Sequence, residues 1–79
     1  MKSVSIEYFA ILREQAGMSS ELIETGATVV AELFTELQAR HEFAAPDNFK
    51  VAINDEFADW DSAVNDGDRV VFIPPVAGG

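Results

Sequence analysis

The sequence predicts an α+β domain in which one mixed β-sheet is covered by a single main helix. Three observations carry that expectation. The chain opens on strict alternation, with Val4, Ile6 and Tyr8 interleaved with Ser3, Ser5 and Glu7, the period-two signature of a strand with one face on a core. It closes on a near-continuous apolar run from Arg69 to Ile73, of the kind buried on both faces of a sheet. Between them Val30, Leu33, Phe34, Leu37 and His41 recur at helical spacing. At 79 residues there is room for one domain, and 48% hydrophobic residues supply a core rather than a disordered chain.

The elements follow in order. After the first strand, Ala10 to Ala16 favours a turn or two of helix before Gly17 stops it. Ser19 to Glu24 alternates weakly around Leu22, reads as a second strand paired with the first, and ends at Gly26. Thr28 is placed to cap the main helix, with Glu32 near its positive end and Arg40 near its negative end. His41, the sole histidine, reads as a partner for the helix dipole, because catalysis or metal binding would need further groups around it. Ala44 to Asn48 reads as a loop around Pro46. A third strand spans Phe49 to Ile53, a turn covers Asn54 to Glu56, and Phe57 to Trp60 forms a brief edge strand. Ser62 to Val64 is a tight turn, and Asn65-Asp66-Gly67-Asp68 turns the chain into the last strand. Setting the first and last strands side by side and parallel, with the helix crossing between them, gives a ubiquitin-like β-grasp fold.

Composition narrows the function. The absence of cysteine excludes a disulfide framework, thiolate metal ligands and a thiol nucleophile of the chain's own. A net charge of −9 disfavours nucleic acid and anionic membranes and favours partners with basic faces. Met1 to Phe9 lacks the apolar core of a signal peptide and no run spans a bilayer, so the expected compartment is the cytoplasm. The acids from Asp55 to Asp68 do not match a calcium loop, and Gly17, Gly26 and Gly67 stand alone rather than forming a phosphate loop, so no metal site is expected. The chain is not expected to be an enzyme by itself.

What remains is the end of the chain. Residues 1–73 read as the β-grasp domain and 74–79 as an extended tail. Pro74 and Pro75 stiffen the exit from the last strand, Val76 and Ala77 add length, and Gly78 and Gly79 carry no side chains. A narrow channel in another protein can close around such a backbone. The functional group expected to carry chemistry is the carboxylate of Gly79.

Three segments together resemble the MoaD family of sulfur carriers within the ubiquitin-like MoaD/ThiS superfamily. They are Phe9-Ala10-Ile11-Leu12-Arg13-Glu14, Asp66-Gly67-Asp68-Arg69-Val70, and the end from Phe72 through Pro74-Pro75-Val76-Ala77 to Gly78-Gly79. The resemblance implies the small subunit of molybdopterin synthase. In that family a MoeB-like, ubiquitin-activating-like adenylyltransferase uses ATP to adenylate the terminal glycine, here Gly79, and a sulfur donor turns the adenylate into a thiocarboxylate. The charged tail then enters a MoaE-like large subunit in a heterotetramer and donates sulfur to cyclic pyranopterin monophosphate. The catalytic side chains lie on the large subunit, and the carrier binds no cofactor itself.

On that reading Gly79 is the reactive residue and Gly78, Ala77, Val76, Pro75 and Pro74 enter the partner. Ile73, Phe72, Phe9 and Arg13 are docking candidates, with Phe9 and Phe72 equally readable as core and Arg13 as a solvated charge. Two alternatives stay open: a sulfur carrier for thiazole or another pathway, and a non-catalytic ubiquitin-like interaction module or modifier.

Overall fold

The computed structural model describes residues 1–41, 43 and 49–74. Seven elements follow in order: β1 (Lys2–Tyr8), α1 (Ala10–Ala16), β2 (Ser20–Thr25), α2 (Val30–His41), β3 (Lys50–Ile53), β4 (Glu56–Ala58) and β5 (Arg69–Ile73). They form one sheet of order β2-β1-β5-β3-β4. The first and last strands lie parallel at its middle, Tyr8 opposite Phe72, while β1–β2, β3–β5 and β3–β4 are antiparallel. This is the β-grasp arrangement expected from the two apolar strands. The loop expected at Ala44–Asn48 and the tail Pro75–Gly79 lie outside the described residues.

The alternation along β1 turns Val4, Ile6 and Tyr8 into the core, where they meet Val30, Leu33, Phe34 and Leu37 of α2. Phe34 is the hub, with the rings of Phe72, Trp60, Phe49 and Phe43 at 5.0, 5.4, 5.8 and 5.9 Å. Pairing of Val4 with Ile23 sets the register of β2, so Ile23 and Thr25 face the core and Leu22 is 72% exposed. The strand is therefore organised around Ile23, not Leu22. Gly17 ends α1 at φ 75°, a left-handed position that glycine takes without the clash of a Cβ.

Two local expectations change. Thr28 does not cap α2 by accepting from the backbone; its hydroxyl and its N–H both donate to Glu32 Oε1, at 2.6 and 2.7 Å. The helix's first N–H groups are satisfied from elsewhere, Val30 by the carbonyl of Ser62 and Ala31 by that of Trp60. The edge strand stops at Ala58, and Trp60 sits in a turn whose ring stacks on Phe72 at 6.0 Å.

The turns at one end of β5 are tied together by side chains. Asn54 and Asp55 take φ values of 53° and 72°, the two-residue geometry that matches hairpin twist. Asn54 Oδ1 accepts from the Arg69 N–H at 3.0 Å and its Nδ2 donates to Asp68 at 2.9 Å, while Asp68 also accepts from the Asn65 N–H at 2.8 Å. These bonds satisfy the buried Asp68 carboxylate and fix where β5 begins.

Candidate functional site

The site is the end of β5 opposite those turns. Because β5 lies between β1 and β3, the chain leaves the sheet from its centre, with Ile73 opposite Lys50 and Phe72 opposite Tyr8 and Val51. Pro74, the first residue of the tail, is buried. The tail is thus rooted in the middle of the domain.

α2 covers one face of the sheet. On the other face a groove of about 380 Å³ is lined by Phe9, Ala52, Phe57, Val71 and Ile73, and by the charged side chains of Glu7, Asp55 and Arg69. Val71, Ala52 and Phe57 are neighbours across β5, β3 and β4, so the apolar lining crosses the sheet in one row. Phe57 is 79% exposed and Phe9 45%. Arg69 bridges Glu7 of β1 at 3.7 Å and also pairs with Asp55 of the hairpin turn. The groove therefore joins an apolar half beside the tail exit to a charged half near the start of β5.

Of the docking candidates, Phe9 and Ile73 line this groove, and Arg13 is exposed beside a smaller hollow shared with Phe9, Ser19 and Ser20. Phe72 is corrected. It is 0% exposed, its ring packed on Phe34 and Trp60, and it offers no side-chain surface to a partner. Phe72 alternates with Val71 and Ile73, so a strand that places those two on the open face must turn Phe72 inward. Gly79, Gly78, Ala77, Val76 and Pro75 lie outside the described residues. Phe57 and Val71 are groove residues that no motif marked, although an aromatic among acids on an edge strand was a visible signal.

His41 has a role beyond the helix dipole. Its Nε2 lies 2.5 Å from Glu21 Oε2, and the same oxygen accepts from the Tyr8 hydroxyl at 2.5 Å. A carboxylate only accepts, so the imidazole carries its proton on Nε2. Arg40 lies 3.9 Å from the other Glu21 oxygen. Burial raises the Glu21 pKa, but hydrogen bonds from Tyr8 and His41 and the charges of His41 and Arg40 outweigh it and leave it lowered. Burial first, then Glu21, push the Tyr8 hydroxyl well above its ordinary range.

A group whose folded pKa is depressed stabilises above its unfolded value, and that contribution is lost as pH falls through the folded value. Glu21→Gln is therefore expected to cost about 1–3 kcal/mol near pH 7. The cost should shrink below pH about 4.3, the ordinary carboxylate value, in urea titrations of both chains. A pH-independent difference would show that Glu21 stabilises by packing alone.

Among the described residues no group of three or more His, Asp or Glu side chains is placed to hold a metal ion, and no helix is long and apolar enough to cross a membrane. Fold and exit together define the class: a ubiquitin-like domain that carries its tail from the central strand.

The comparisons give the family. The sequence model of the ThiS family matches residues 6–79. The molybdopterin synthase sulfur carrier subunit of Escherichia coli (strain K12) is 32% identical over 87 aligned positions, covering 96% of this chain and 99% of that protein. A Pyrococcus furiosus protein assigned as subunit 1 of a molybdopterin converting factor superposes with a TM-score of 0.80 at 32% identity, covering 96% of this chain and all of that one, 100%. SAMP1 of Haloferax volcanii gives 0.80 at 27% identity over 98% of this chain and 99% of that one. The complex of subunits 1 and 2 of the Helicobacter pylori molybdopterin-converting factor gives 0.61 at 26%, over 98% and 99%. The chain belongs to the ThiS family, the ThiS/MoaD group of small ubiquitin-like sulfur carriers.

Proposed function

We propose that this chain is the sulfur carrier subunit of a cytoplasmic molybdopterin synthase and that Gly79 is the carrying residue. A Gly79 carboxylate oxygen attacks the α-phosphorus of ATP on a MoeB-like adenylyltransferase, and pyrophosphate leaves. A sulfur donor displaces AMP from the acyl adenylate and leaves a thiocarboxylate. In a MoaE-like large subunit that sulfur attacks cyclic pyranopterin monophosphate, and two transfers build the dithiolene. ATP is consumed by the activating enzyme, and the catalytic side chains belong to the large subunit. The observation that carries this reading is the family match running through residue 79, onto a tail rooted in the central strand. Intact mass of the chain after co-expression with the activating enzyme tests it. A sulfur-for-oxygen increase is expected, and an unmodified mass sinks the reading.

The uncovered groove is the proposed docking face, with Phe9, Val71, Ile73 and Phe57 as its apolar contacts. Phe9→Ala and Phe57→Ala are expected to weaken binding of the large subunit about tenfold each by calorimetry, the scale of one interfacial aromatic. Melting temperatures should hold, because Phe57 is largely in solvent and Phe9 is nearly half exposed outside the core. Unchanged affinity for both would move the docking face elsewhere.

A second reading is supported by the similarity to Haloferax volcanii SAMP1, which belongs to the small archaeal modifier proteins. There Gly79 would end in an isopeptide bond to a lysine, and the same mass spectra would show adducts of larger proteins. A sulfur carrier for thiazole or another pathway would show the thiocarboxylate but donate to another acceptor.

A further inference from the structure

The five lysine and arginine side chains of this acidic chain are unequally committed. Lys2 donates to the Ala27 carbonyl, Arg40 pairs with Glu21, and Arg69 bridges Glu7 and Asp55. The side chains of Arg13 and Lys50 have no hydrogen bond or ion pair among the described residues, and both residues are exposed. They share one end of the molecule. Lys50 pairs across the ladder with Ile73, the last residue of β5, and Arg13 borders the hollow whose wall is Phe9, next after Tyr8, which faces Phe72. Arg13, Phe9, Ile73 and Lys50 thus run along the edge from which the tail departs. At the opposite end of β5 the turns hold Asp55, Asp66 and Asp68, and β4 opens on Glu56. Among the described residues, the two cations whose side chains have no partner thus lie toward the tail exit, with Glu7 and Glu14 beside them, while Asp55, Asp66 and Asp68 lie at the far end.

We infer that the ATP-dependent adenylyltransferase, when it takes up the tail, presents aspartate or glutamate side chains around the mouth of its channel, which meet Arg13 and Lys50. This rests on the proposed tail chemistry and names the partner's surface. A polyanion such as nucleic acid would be repelled by the domain as a whole, whereas a few carboxylates at a channel mouth meet the cations at short range. The far acids are pushed away from the same carboxylates, so the domain approaches tail first, and the field acts mainly on the association rate. Glu14, next to Arg13 on α1, opposes the effect and serves as an internal control.

Two measurements on the full chain test the inference. In the first, proton relaxation is compared with an anionic and a cationic nitroxide of equal size. Relative enrichment of the anionic probe is expected to be at least about threefold higher around Phe9, Arg13, Lys50 and Ile73 than around Asp55 and Asp66. Equal values at the two ends overturn the inference.

In the second, the rate of thiocarboxylate formation with the ATP-dependent adenylyltransferase is followed by intact mass at ~20 mM and ~500 mM salt. Arg13→Glu and Lys50→Glu are expected to slow it about five- to tenfold at low salt and less than about twofold at high salt, while Glu14→Gln accelerates it. If the native chain is charged with sulfur and both reversals match it at low salt, the inference fails and the sulfur-carrier reading stands. If the native chain takes no sulfur, both fall.

Discussion

One residue added after Gly79 will abolish thiocarboxylate formation, and deleting Gly79 will do the same. The reason is reach. Adenylation needs a free carboxylate beside the ATP α-phosphate, and one residue moves the reacting oxygen by about 3.5 Å, beyond near-attack distance. A misplacement of that size is expected to cost at least about 100-fold in rate. Gly78→Val should fail for a different reason, because a branched side chain does not fit a channel shaped for bare backbone, although the carboxylate is intact. The fold should ignore all three changes, since Val76 to Gly79 contain no large apolar side chain for a core. Circular dichroism gives the folding control and intact mass the activity. An extended chain that still acquires sulfur at the native rate would move the chemistry away from Gly79 and favour the modifier or interaction-module reading.

The second large effect is on stability. Phe34→Ala and Phe72→Ala should each lower the unfolding free energy by about 3–5 kcal/mol, as aromatic truncations in closed cores do. Both rings are buried and share one aromatic cluster with Trp60. A domain of this size has only about 5–10 kcal/mol in total, so either variant will be partly unfolded at 37 °C. Phe9→Ala, nearly half exposed, should stay within about 0.5 kcal/mol of the native chain. Thermal denaturation separates the cases. A Phe72→Ala chain that melts normally yet fails to bind its partner would restore Phe72 to the docking surface.

The contrast between Phe72 and its neighbours shows where sequence reasoning reaches its limit. Periodicity located β1 and α2 because each buries a regular stripe, helix-favouring residues before Gly17 located α1 and an apolar run located β5, and parallel pairing of the two most apolar strands followed from the single crossover helix. An unbroken run such as Val70-Val71-Phe72-Ile73 has no polar residue to mark its faces, so which members meet a partner depends on the neighbouring strands. The same dependence moved the inward position of β2 from Leu22 to Ile23, one step along a weakly alternating strand whose register β1 decides. The Tyr8–Glu21–His41 cluster was illegible for a related reason: its members are far apart in sequence, and only the folded sheet brings them to one oxygen. Legibility of the candidate site was uneven in another way. The tail is an expectation from composition whose residues past Pro74 lie outside the described ones, whereas the groove is a property of the sheet and needs Phe57 of β4 beside Val71 of β5.

The central position of β5 also determines how the domain bears load. β5 is hydrogen-bonded to parallel β1 on one side and antiparallel β3 on the other, so a pull on the tail acts along both ladders. Such a force shears several backbone bonds at once, whereas a peripheral strand pulled sideways would peel one bond at a time. If a partner draws the tail into a channel, as proposed, the tension would pass into both ladders rather than unzip one. The tail exit is thus held by two ladders rather than one.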